Sequence, residues 1–173
     1  MGGGSQGPDD RRRADDGFDA LFRRELGPIT RTAYLVVGDW EVACELAQDA
    51  FVQALRRWDE VRVLDRPGAW VRRVAVRDAV RARRRRIRGR ALEAQHARAA
   101  DETEPVAPDV RAALLGLSAR QRAAIALHYL DDLPVTEIAA TLGCSVGSVK
   151  THLARGRRAL AVLLGAEVAD ERR

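Results

Sequence analysis

The side chains able to do chemistry in this chain are overwhelmingly cationic. Thirty basic residues stand against 25 acidic ones over 173 positions, and every base except Lys150 is arginine. Guanidinium is permanently charged, planar and suited to forked contacts with phosphate oxygens and base edges. After Gly68, Arg73, Arg77, Arg81, Arg84 and Arg88 recur at spacings of four, four, three and four. On a helix this sets the five guanidiniums along one face over about 22 Å. Asp78 is the single nearby acid, and like charges one turn apart repel by ~0.2 to 0.5 kcal/mol each. The stripe therefore points to a polyanionic partner, with a solvated surface face as the plainer alternative.

A second polar constellation lies between Ser145 and Arg158. Gly147, Ser148, Lys150, Thr151, His152, Arg155 and Arg158 fall on one side of a helical pattern whose other side carries Val146, Val149, Leu153, Leu160 and Leu164. Small polar groups come first and cations later. That order suits a helix whose N-terminal residues approach base edges while later arginines hold phosphates. An αα-hairpin with a solvated face would show the same pattern. Enzymatic chemistry has little to stand on. His96, His128 and His152 have no metal-ligand spacing among themselves or with Cys44 and Cys144, and no nucleophile motif is present. The cysteines lie a hundred positions apart, unlike a disulfide framework or a zinc site. No metal or cofactor is expected. Cys44 reads as a small buried helix residue, and a redox role for Cys144 stays open.

The elements that must position these groups are helices. Asp16 to Leu26 places Phe18, Leu21 and Phe22 on one side, and Gly27-Pro28 is expected to end it and start another over Ile29 to Val37. Asp39 is a candidate N-cap for a helix running to Trp58. Asp59 to Pro67 reads as a loop, and Ala69 to about Arg88 as the long helix of the arginine stripe. Ser118 with Gln121 three residues later forms a capping box for Ala119 to Leu130, after a helix from Val110 to Leu117. Pro134 to Leu142, Gly143-Cys144-Ser145 and Val146 to Leu164 form a helix, tight turn and helix. Strand patterns, repeats and glycine-rich phosphate loops are absent.

Charge divides the chain further. The net charge of +5 conceals an excess of nine over residues 71–100, followed by four acids and no base over 101–109. An uninterrupted apolar run long enough for a membrane span, ~20 residues, does not occur. The start has no signal-peptide pattern, so a cytoplasmic, nucleoid-associated protein without membrane insertion is expected. Seven of the eight aromatics precede residue 71, which predicts separate cores for the two halves. The expected architecture is all-α, with two small helical domains on a flexible linker. Its boundaries are a disordered extension over 1–16, a first domain over 17–88, a linker over 89–109, a second domain over 110–165 and a tail over 166–173.

The motifs, taken in order, resemble a known family. Gly38-Asp39, Glu45-Leu46-Ala47-Gln48-Asp49-Ala50-Phe51 and Arg66-Pro67-Gly68-Ala69-Trp70-Val71, running into the arginine block, are similar to region 2 of extracytoplasmic-function (ECF) sigma factors of RNA polymerase. Leu117-Ser118-Ala119-Arg120-Gln121-Arg122, Glu137-Ile138-Ala139, Gly143-Cys144-Ser145, Gly147-Ser148-Val149-Lys150 and Arg155-Gly156-Arg157 resemble region 4 and its helix-turn-helix. The alanine- and arginine-rich composition is similar to that of actinobacterial members. Three departures stand out: Asp78 where the family usually has asparagine, Glu45 for the usual aspartate, and Ser118 where proline is common.

The resemblance implies a sigma factor without catalysis of its own. Glu45, Gln48 and Asp49 would bind the clamp helices of the largest subunit of core RNA polymerase. Trp70, Arg72, Arg73, Arg77, Arg81 and Arg84 would serve the −10 element and its melted non-template strand. Ser145, Gly147, Ser148, Lys150, Thr151, His152, Arg155 and Arg158 would read the −35 element as duplex. The chain would act as a monomer within the holoenzyme, and an anti-sigma factor is a further partner that the family brings into view. The alternative is a stand-alone helix-turn-helix regulator, which would explain the second half but not the first.

Overall fold

The computed structural model describes residues 8–90 and 108–163, with side chains described over 17–86 and 112–163. All regular structure among these residues is helical: α1 (Pro8–Val37), α2 (Trp40–Arg56), α3 (Trp58–Val61), α4 (Pro67–Arg90), α5 (Pro108–Leu115), α6 (Ala119–Tyr129), α7 (Val135–Leu142) and α8 (Val146–Leu163). Helices α1 to α4 form a first lobe and α5 to α8 a second. Two local expectations hold in atomic detail. Asp39 caps α2 by accepting a hydrogen bond from the Val42 amide at 3.2 Å. Ser118 and Gln121 exchange the two bonds of a capping box at the start of α6.

Three local expectations are corrected. The chain does not break at Gly27-Pro28; α1 runs through both. Pro28 removes one amide donor, yet the packed face around Ile29 keeps the helix whole. The helix also begins at Pro8, within the stretch expected to lack structure, where proline in a first turn and the following Asp9-Asp10 suit an N-terminus. The expected loop after Trp58 opens with the short helix α3, whose Val61 is buried in the first lobe. Residues 1–7, the linker over 91–107 and the tail after Leu163 lie outside the described residues.

The larger correction concerns the core. One cluster belongs to the first lobe alone: Phe18, Phe22, Phe51 and Trp58 meet largely edge-on around Leu21, Ile29, Ala47, Ala50 and Val71. The other cluster is shared. Ala33, Tyr34, Val36, Val37, Val76, Ala79 and Val80 from the first lobe pack with Leu114, Leu117, Ala123, Leu127, Ile138, Val149 and Leu153 from the second. Aromatic distribution predicts separate cores because it follows only the large rings. The shared cluster is built mainly of alanine, valine and leucine, whose small side chains let α1, α4 and α6 approach closely.

Candidate nucleic-acid interface

The recognition-type helix α8 is fastened by Val149 and Leu153, both buried, and by Gly156. A Cβ on Gly156 would stand 3.0 Å from Ile125 Cγ1, so glycine sets how closely α8 crosses α6. Leu160 packs on the shared core, while Val146, expected in the buried stripe, is 36% exposed, and Leu164 lies outside the described residues. The turn before α8 uses Gly143 in the left-handed region at φ 61°, with the Cys144 amide bonded to the Ala139 carbonyl at 3.1 Å. Ser145 accepts from the Ser148 amide at 3.1 Å and so caps α8. Gly147, Lys150, Thr151, Arg155 and Arg158 are exposed on one face, with Ser148 and His152 half-buried at its edge. Burial lowers the His152 pKa below its usual value, with Arg120, Arg155 and Arg84 adding to the effect. Arg84 belongs to α4, so the electrostatic field of the first lobe reaches the recognition helix.

The arginines of α4 do not form one bare stripe. Arg77 Nε donates to the Thr141 carbonyl at 2.9 Å and its Nη2 to the Ala140 carbonyl at 3.2 Å. Arg72 donates to Glu25 at 3.3 Å, and its Nε stands 3.3 Å from Asp131 Oδ2. Arg81 pairs with Asp78 at 3.0 Å. Arg73 is half-buried, Arg84 is exposed, and the side chain of Arg88 lies outside the described set. Compensation that looked absent along the helix thus comes from α1, α7 and the α6–α7 turn. Trp70 packs partly on the first-lobe core with the Arg57 guanidinium 5.7 Å from its ring centroid.

Four residues outside the expected set complete this region. Arg122 is fully buried and donates to the Val36 carbonyl across the lobes at 3.2 Å. Arg83, also buried, donates to the Leu115 carbonyl at 3.1 Å. Asp131, with a side chain 5% exposed, receives Thr32 Oγ1 at 3.0 Å from each of its oxygens. Its pKa is raised by burial, against the lowering influence of Arg72 and Thr32. Glu25 sits over the first turn of α4, so close that a Cβ on Gly68 would lie 2.9 Å from its Cδ. No periodicity marks these four, because each acts on a partner far away in the chain.

On α2, Glu45, Gln48 and Asp49 are all exposed and are joined by Val52 and Leu55, 44% and 52% exposed. Helical spacing sets Leu55 with Val42, Leu46 and Ala50, yet it stands exposed beside Val52, and exposed apolar side chains next to polar ones suit a docking face. Cys44 and Cys144 are free and half-buried, and burial, followed by the neighbouring Glu45, raises the Cys44 thiol pKa. That disfavours a reactive thiolate at Cys44.

Residues 21–89 match the model of Sigma-70 region 2, and residues 108–160 match that of Sigma-70 region 4. The ECF RNA polymerase sigma factor SigM of Mycobacterium tuberculosis is 34% identical over 151 residues, covering 86% of this chain and 77% of the relative. The chain belongs to the ECF RNA polymerase sigma factors. ECF sigma factor SigE of Mycolicibacterium smegmatis is 32% identical over 83% of the chain, which spans 60% of that relative's length. SigW of Bacillus subtilis is 27% identical, with 84% and 87% of the two chains covered. Among solved structures, the sigma factor RpoE from Bartonella quintana, crystallised with the anti-sigma factor NepR, superposes with a TM-score of 0.71 at 24% identity, over 87% of this chain and 98% of that one. This likeness establishes the shared fold. The sigma factor is thus a non-enzymatic transcription initiation factor of the alternative class, and sigma factors bind core RNA polymerase. No described helix is long and apolar enough to cross a membrane.

Proposed function

We propose that this sigma factor brings core RNA polymerase to its promoters through three separate faces. The exposed side of α2, with Glu45, Gln48 and Asp49 and the apolar Val52 and Leu55, docks on the clamp helices of the largest subunit. The turn after α3 and the arginine side of α4, with Trp70, Arg72, Arg73, Arg77, Arg81 and Arg84, serve the −10 element and its melted non-template strand. Unstacking bases costs a few kcal/mol, which phosphate contacts from these arginines offset. The open face of α8, from Ser145 through Gly147, Ser148, Lys150, Thr151, His152 and Arg155 to Arg158, reads the −35 duplex.

The observation that carries this reading is the pairing of a glycine-capped helix-turn-helix, cationic on its exposed face, with a polymerase-type helix whose polar residues stay uncovered. A stand-alone regulator would leave that second face without a purpose. The work belongs in the cytoplasm at the nucleoid, with one copy per holoenzyme. An anti-sigma partner is supported by RpoE, the similar sigma factor crystallised with one.

Run-off transcription with core enzyme on a selected promoter tests the reading. Lys150→Ala with Arg155→Ala should lower the transcript about tenfold or more while leaving core binding intact, each lost base or phosphate contact being worth ~1 kcal/mol or more. Tight promoter binding by the free chain, with no gain from core enzyme, would sink the proposal.

A further inference from the structure

The docking face of α2 depends on how the first turns of that helix are held. Its buried side is Ala43, Ala47, Ala50, Phe51 and Ala54, so Phe51 is the one large side chain among them. Alanine lets neighbouring helices come close, but it offers few ridges to resist a twist or slide of one helix on another. Trp40 meets Tyr34 edge-on, with 5.5 Å between ring centroids, and fixes the start of α2 from one side. A polar anchor holds it from another.

Asp39 precedes α2 with an extended backbone and uses its two side-chain oxygens differently. Oδ1 accepts the Val42 amide at 3.2 Å, which is all that an N-cap requires. Oδ2 accepts Arg86 Nη1 at 2.9 Å, a charge-assisted bond between two part-buried side chains. Arg86 lies near the end of α4, beyond the exposed Arg84 and Arg85, and so ties the last turns of that helix to the first turn of α2. The pair also suits the helix ends it joins, a carboxylate at the start of α2 and a guanidinium near the end of α4. Glu45 begins the docking residues six positions after the cap, about 9 Å along the helix. A change in how the first turn is seated therefore moves the whole polar face. We infer that Arg86 is a positioning residue for polymerase binding, holding α2 in register through the second oxygen of its cap. The inference rests on the assignment of α2 to the polymerase made above.

The test measures binding of the full chain to core RNA polymerase at a temperature where every variant is folded. Asp39→Asn keeps an oxygen for the Val42 amide and removes the carboxylate from Arg86. Arg86→Gln removes the charge from the other side, and Arg86→Lys restores it. Arg85→Gln removes an exposed neighbour of the same charge. Asp39→Asn and Arg86→Gln should each weaken binding about fivefold, as the loss of one coupled pair does, and the double variant should bind no worse than either alone. Arg86→Lys should recover most of the loss, and Arg85→Gln should bind as the parent does. A pair that only stabilises the fold lowers the denaturation midpoint and leaves the affinity unchanged, and that result overturns the inference. So do losses that add in the double variant, a loss confined to one of the two single variants, no recovery by Arg86→Lys, or equal weakening by Arg85→Gln. Glu45→Ala with Asp49→Ala, run alongside, tests the assignment itself. Normal core binding by that variant removes α2 from the docking surface, so the assignment falls first and the inference with it.

Discussion

Arg122 combines a full charge with complete burial between the lobes, and it donates to the Val36 carbonyl from one lobe and the Leu117 carbonyl from its own. Arg122→Ala empties that space and strips both carbonyls of a donor, so chemical denaturation should show a loss of about 3 kcal/mol. Arg122→Met fills the space without the desolvated charge and should recover much of that loss. His152 is the second residue with a measurable signature. Burial and three arginines favour its neutral form, so its contribution to stability is present above the ordinary value of 6.5 and is lost as pH falls through the lowered folded-state pKa. An NMR titration should find the imidazole below its free-peptide value, and Arg84→Ala should move it upward.

At the scale of elements, the helix-turn-helix depends on two glycines for different reasons. Gly143 takes a left-handed conformation at the end of α7, whereas Gly156 is an ordinary helical residue pressed against Ile125. Gly156→Val should lower stability by about 2 kcal/mol, as overpacking does, and should tilt α8 enough to weaken −35 binding in gel-shift assays with the holoenzyme. Gly156→Ala should be far milder, since the gain in helix propensity, about 1 kcal/mol, opposes the tighter contact. Helix α1 teaches a complementary lesson. Gly27-Pro28 carries the strongest local stop signal in the chain, yet packing around Ile29 holds one helix through it. Asp39 and Ser118, by contrast, cap their helices as their spacing alone dictates, because a cap is satisfied within three residues.

At the scale of the whole molecule, the shared core couples domains that composition suggests are independent. All three tryptophans, Trp40, Trp58 and Trp70, belong to the first lobe: Trp58 and Trp70 pack on its own cluster and Trp40 on the shared one. Leu127→Ala lies in the second lobe and empties part of the shared cluster, a change worth about 2 to 5 kcal/mol for a buried leucine. The tryptophan-detected midpoint should fall with it. A midpoint that stays fixed while the second lobe melts earlier would show two independent cores. The helices, their caps, the family and the open faces of α2 and α8 were legible in the sequence, because each is written in spacings of a few residues. What only the tertiary structure decided is where the charges go. Arg77 meets Thr141, Arg122 meets Val36 and Thr32 meets Asp131 across 64, 86 and 99 positions of chain. Periodicity carries no information over such separations, since those pairings exist only once small apolar side chains have drawn two distant helical surfaces together.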